Sequence, residues 1–186
     1  MGIGDDTAAN SLRLLNNHFR HTPPVTGPQG HSYISSEPRP TPTAPGLPYN
    51  ADVADHIRAC VTEVTADVLA VNPAPTPLPG RVEAVYTWYL DNTRTAAPAQ
   101  RQRRDTIIYR QTLEHAIAMR DFKVIPPHRC PACRTFGLRW APARRRALCT
   151  NMKCVADDGM SNTWTLARLA YEHIAARENH GRVSAT

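Results

Sequence analysis

Apolar positions recur at helical spacing in five stretches of this chain, and in one short stretch they alternate instead. Over 5–20, Ala8, Leu12, Leu15 and Phe19 fall on one face of an amphipathic helix. In "ADVADHIRACVTEVTADVLAVN", Val53, Ile57, Cys60, Val61, Val64, Val68 and Val71 share one narrow face. Asn50 can cap that helix, and Pro73 follows its end. A third helix turns Val82, Val85, Tyr86, Tyr89 and Leu90 inward before "TAAPAQ" breaks it. A fourth, about 101–121, presents Tyr109, Leu113, Ala116 and Ile117, flanked by Ile108, Thr112 and Met119. The last lies in "SNTWTLARLAYEHIAARENHG", with Leu166, Leu169, Ala170, His173 and Ile174 on one face. Ser161 or Thr163 is its expected cap and Gly181 its expected stop. Between the fourth and last helices the period drops to two. Leu138 and Trp140 alternate with polar residues, "APARR" turns, and Ala147 to Cys149 returns, which predicts a small antiparallel hairpin.

Two connectors break the helical pattern. The 27 residues from Thr22 to Pro48 contain eight prolines and three glycines, so they cannot hold a regular backbone ladder and have little to bury. "PAPTPLPG" is a second, stiff connector. The expected organisation is an N-terminal amphipathic helix (1–21), a Pro-rich linker (22–48), a helical domain (49–124), a cysteine-bearing β segment (125–162), and a C-terminal helix with its tail (163–186). No stretch approaches the roughly 20 apolar residues that span a bilayer. No basic region followed by an apolar run opens the chain, so a cytoplasmic protein without a membrane partner is expected.

Four of the five cysteines lie within "CPACRTFGLRWAPARRRALCTNMKC". Cys130 and Cys133 form one close pair, Cys149 and Cys154 another, and the predicted hairpin lies between them. Two thiolate pairs on tight turns, brought together by a hairpin, are how a chain offers four sulfurs to one tetrahedral zinc ion. A disulfide would need an oxidising compartment, to which nothing in the chain points. A Cys-x-x-Cys redox site would need a βαβ setting, and an iron–sulfur cluster a different spacing. His128, two residues before Cys130, can stand in for one sulfur or support the site from outside. Cys60, on an apolar helical face, reads as a core thiol.

The 130–154 segment resembles the zinc ribbon family. The resemblance implies a small C-terminal β zinc ribbon with one structural zinc per chain held by Cys130, Cys133, Cys149 and Cys154. With the helical periods before and after it, the expected fold is mainly α-helical with that ribbon. The second knuckle is two residues longer than the usual ribbon's. The layout as a whole resembles actinobacterial and actinophage proteins of unknown function that end in a ribbon.

The net charge of +6 is concentrated. Residues 101–153 hold 13 Lys and Arg against three acids. One functional reading is therefore nucleic-acid binding, DNA or RNA, through Arg144, Arg145 and Arg146 at the hairpin, extended by Arg134, Arg139 and Lys153. Trp140 or Phe136 would be the base-stacking platform, and Arg101, Arg103 and Arg104 a second lobe. Arginines in a first helical turn oppose the dipole. Either the fourth helix begins later, near Asp105, or these arginines face an anionic partner. The other reading is a protein-interaction adaptor whose ribbon only staples the fold. The chain carries no Gly-rich phosphate loop, no His-Glu-x-x-His and no His-x-Glu of a zinc deaminase, so no enzyme is expected.

Overall fold

The computed structural model describes residues 13–14 and 51–183. The expected N-terminal helix, apart from helical Arg13 and Leu14, the Pro-rich linker and the Asn50 cap lie outside the described residues.

Helix α1 spans Ala51–Val71. A 3-10 turn at Val82–Ala84 leads into α2, Val85–Asn92. Helix α3 runs Pro98–Ala118. A three-stranded antiparallel sheet follows, with β1 Leu138–Ala141, β2 Arg146–Cys149 and β3 Thr163–Trp164 in the order β1-β2-β3. Helix α4 covers Leu166–Val183. The chain is thus mainly helical with a small antiparallel sheet, and the hairpin lies where the alternation put it.

Three local expectations are corrected. The fourth helix starts earlier than about 101: the break expected at "TAAPAQ" lies between α2, which ends at Asn92, and Pro98, which opens α3 at the first turn, where a missing N–H costs nothing. The backbone N–H of Ala97 donates to Gln100 Oε1 at 3.0 Å, one half of a capping box. Arg101, Arg103 and Arg104 therefore lie inside the helix, and it does not start near Asp105. At the chain's other end, Ser161 and Thr163 do not cap α4. Thr163 belongs to a third strand, and Thr165 Oγ1 accepts from the Arg168 N–H at 3.2 Å. Gly181 does not stop the helix, which continues to Val183.

Helix α3 is the shared wall of two cores. On one side Ile107 and Ile108 meet Val53, Ile57, Val64 and Val68 of α1 and Val85, Tyr86, Trp88 and Tyr89 of α2. On the other, Leu113, with partly buried Tyr109 and Ile117, meets Ile125, Leu138, Ala147, the cysteines, and Leu166 and Leu169 of α4. The segments assigned to the ribbon and to the C-terminal helix share this second core.

The helical core contains a polar seam. Tyr89 Oη donates to the Asp67 carboxylate, which also accepts from Arg103 Nε at 2.6 Å. Tyr86 Oη donates to Gln111 Oε1 at 2.7 Å, and Gln111 Nε2 donates to Glu63 at 2.8 Å. Every bond joins two helices, so the seam fixes their register as well as satisfying buried groups.

Candidate metal centre and basic hairpin

The first knuckle is a tight turn. The Arg134 N–H donates to the Cys130 carbonyl at 2.9 Å, and the Cys130 N–H to the Thr135 carbonyl at 2.9 Å. Closing it puts Arg134 at φ 60°, a conformation that non-glycine residues adopt at a cost. Gly137 follows at φ 120° and lies so close to β2 that a Cβ there would meet Thr150 Oγ1 at 2.7 Å. Glycine is required at this position on both counts. The second knuckle accommodates its longer spacing with an Asx turn. Asn151 Oδ1 accepts from the Lys153 N–H at 3.0 Å, and the Asn151 carbonyl accepts from the Cys154 N–H at 2.9 Å.

The register Leu138↔Cys149 brings the knuckles together. Cys130 Sγ lies 3.7 Å from Cys154 Sγ, and Cys133 Sγ 3.7 Å from Cys149 Sγ. All four sulfurs fall within 4.8 Å of one another. Four thiolates at about 2.3 Å from one tetrahedral ion would stand about 3.8 Å apart, so the set fits a metal ion. The sulfurs are not in disulfides. Cys130, Cys149 and Cys154 are buried and Cys133 is partly exposed. Burial pushes the Cys149 and Cys154 thiols up, whereas a hydrogen bond from Thr135 Oγ1 at 3.0 Å draws the Cys133 thiol down. Asn162 Nδ2 donates to Cys154 Sγ at 3.4 Å. Cys149 and Cys154 will not both carry charge without a cation between them.

His128 is not in this set. Its Nε2 accepts from Tyr109 Oη at 2.9 Å and its Nδ1 faces the Ile125 carbonyl at 3.2 Å, so the ring ties the approach to the first knuckle onto α3. His173 of α4 stacks on the same tyrosine at 4.1 Å.

The predicted nucleic-acid residues separate by face. Antiparallel pairing puts Leu138, Cys149, Trp140 and Ala147 on the core face of the hairpin, with Trp164 beside Ala147. Arg139 and Arg146 lie on the opposite, solvent-facing side. Arg144 is exposed in the 3-10 turn that joins the strands, and Lys153 is exposed in the second knuckle. Arg145, at φ 49°, lines a cleft between hairpin and helices with Trp140, His56, Arg110 and Glu114. Trp140 is thus half-buried against the second core, away from Arg139 and Arg146. Phe136 is exposed, but the Arg129 guanidinium stacks over its ring at 4.3 Å.

The second lobe is engaged within the fold. Arg101 donates to the Ala96 carbonyl, Arg103 pairs with Asp67, and buried Arg104 pairs with Asp105 and reaches Thr93 Oγ1. Arg134 pairs with Glu172 of α4 at 2.9 Å and so clamps the first knuckle to that helix. Arg139, Arg144, Arg146 and Lys153 take part in no ion pair among the described residues.

A second cluster escaped the sequence reading. His56 and Cys60, four apart on α1, meet His115 of α3. Cys60 Sγ stands 3.7 Å from His115 Nε2, and 3.7 and 4.0 Å from Nε2 and Nδ1 of His56. The His-x3-Cys spacing was legible as one helical face, but nothing local to it pointed to His115, 55 residues along the chain. Among the described residues no helix is long and apolar enough to cross a membrane. Compared with protein families, with curated proteins and with solved structures, the chain matches none.

Proposed function

We propose that this protein is a small zinc-ribbon protein that holds one structural zinc at Cys130, Cys133, Cys149 and Cys154 and binds the nucleic-acid backbone through the outer face of its hairpin. Zinc suits four thiolates in a closed tetrahedral shell, which leaves no position for a substrate. The observation that carries the nucleic-acid half is the sorting of the arginines. Arg103, Arg104 and Arg134 are engaged by Asp67, Asp105 and Glu172, and Arg101 by the Ala96 carbonyl, whereas Arg139, Arg144 and Arg146 are exposed and form no ion pair among the described residues. A guanidinium in that position is free to fork onto a phosphate. Because Trp140 faces the core, the contact is to the backbone rather than by base stacking.

The test is a salt titration of binding to single- and double-stranded DNA and to RNA. Changing Arg139, Arg144 and Arg146 together to Ala should weaken binding to every sequence. Each lost phosphate contact should flatten the log–log salt dependence by roughly 0.7–0.9. Wild-type affinity and slope in the triple variant would overturn the assignment. An adaptor is the second reading, and one observation favours it. Met152, Val155 and Met160, exposed apolar residues, lie along the loop through and beyond the second knuckle. If the wild type binds no nucleic acid at low salt, that loop becomes the surface to test.

A further inference from the structure

We infer that His56, Cys60 and His115 form a second metal site, one that binds a zinc-class divalent ion and leaves a coordination position facing the cleft under the hairpin. The three residues converge from two helices that already pack together, so the site requires no rearrangement of the backbone. His56 and Cys60 lie one turn apart on α1, on neighbouring positions of one face. His115 comes from the side of α3 that faces α1, and it is fully buried. For a tetrahedral ion with a thiolate at about 2.3 Å and an imidazole nitrogen at about 2.0 Å, the sulfur–nitrogen edge is about 3.5 Å. Cys60 Sγ is 3.7 Å from one nitrogen of each ring, and the three donor atoms lie within 4.8 Å of one another. A thiolate with two imidazoles is a donor set that suits borderline-soft ions and not magnesium or calcium.

Three protein ligands distinguish this cluster from the ribbon. A closed four-thiolate shell is structural, whereas a three-ligand shell keeps a place for water or an incoming group. The geometry supplies access to that place. His56 is only partly buried and lines a cleft of about 490 Å³ with Arg110, Glu114, Trp140 and Arg145. Cys60 and His115 are buried and do not line it, so His56 is the ligand that joins the cluster to the cleft. A ligand entering the cleft would meet the ion at His56, with the guanidinium of Arg145 and the carboxylate of Glu114 also in the lining. That lining suits a small anionic oxygen donor, for which Arg145 supplies the charge complement and Glu114 a group able to accept a proton from bound water. Trp140 and Arg145 of the hairpin belong to the cleft's lining, so the hairpin that carries Cys149 also borders the entrance at His56.

The test counts ions in the intact protein. Full-length protein is loaded with zinc, cleared of loosely held metal and weighed by native mass spectrometry. Wild type should carry two ions, and Cys60→Ala and His56→Gln one each. Cys154→Ala should lose the other ion. His56→Gln alters a partly exposed ring, so it keeps the test open if circular dichroism shows that Cys60→Ala does not fold. One ion in the wild type that survives both Cys60→Ala and His56→Gln overturns the second site, as do two ions that survive both. One ion that disappears with Cys60→Ala but survives Cys154→Ala supports the second site and overturns the ribbon metal instead. No ion in the wild type overturns both.

Discussion

The two cores on either side of α3 are held together in different ways. The helical side buries Val64, Val68, Tyr86 and Tyr89 from 21- and 8-residue helices, and its polar groups find partners within it. The ribbon side has strands of four, four and two residues, and four of its inward positions are cysteines. Strands that short are not stable on their own. The helical side has its cohesion in apolar area, whereas the sheet side carries four thiols close enough to hold a metal ion, which on the proposed reading is its crosslink. The difference teaches where each half should fail.

Metal removal should separate them most. Chelation should strip amide-exchange protection from 130–154, and from α4, whose Leu166 and Leu169 pack on the cysteines, while α1 and α2 keep theirs. Structural zinc sites contribute on the order of 10 kcal/mol to folding at neutral pH, so loss of the proposed zinc should be felt first in this core. Simultaneous loss of protection in α1 and α4 would show that α3 couples the cores into one cooperative unit.

Truncation in the apolar cores comes next. Leu138→Ala removes a fully buried side chain beside the metal cluster and should cost about 2–5 kcal/mol. In urea titrations its effect should shrink once the metal is removed, because the core that it disrupts is then already open. An equal cost with and without metal would break the distinction between the halves.

Single polar or backbone changes test each half's internal fastening. Tyr89→Phe leaves the buried Asp67 carboxylate with Arg103 alone and should cost about 1–3 kcal/mol without altering metal content. Gly137→Ala should cost a similar amount, about 1–3 kcal/mol, because it adds both an unfavourable φ and a clash with Thr150. Gly159→Ala, at φ 75° in open space, carries the φ cost alone and should be milder. Thermal midpoints of the three variants settle the ranking.

The smallest expected effect is that of pH on the seam between α3 and α4. His173 has its pKa lowered by burial first, then by His128 and Arg177. With the folded value below the unfolded one, its stabilising contribution is full above about pH 6.5 and fades as the pH falls. His173→Gln should remove that share of the slope between pH 7.5 and 5.5 and leave the rest. An unchanged slope in urea titrations across that range would show that His173 is not the titrating group.

How much of this was legible in the sequence follows from the range over which each feature acts. The inward faces of the helices and the hairpin follow from periods of 3.6 and 2, which local backbone geometry imposes on any chain. The four-cysteine cluster was legible for the same reason, since each pair is close in sequence and a hairpin is the shortest way to join two pairs. Helix ends were less so. Pro98 opens α3 and Thr165 caps α4, whereas the pattern pointed to later or neighbouring residues for both starts. The tertiary structure alone decided which arginines are engaged. Arg103 meets Asp67 across 36 residues and Arg134 meets Glu172 across 38, so a local count of +10 overstated the free charge. It also decided that Cys60, one thiol on an apolar face, sits between two imidazoles. Side-chain spacing within one element is fixed by the sequence, whereas contacts between elements depend on how they pack.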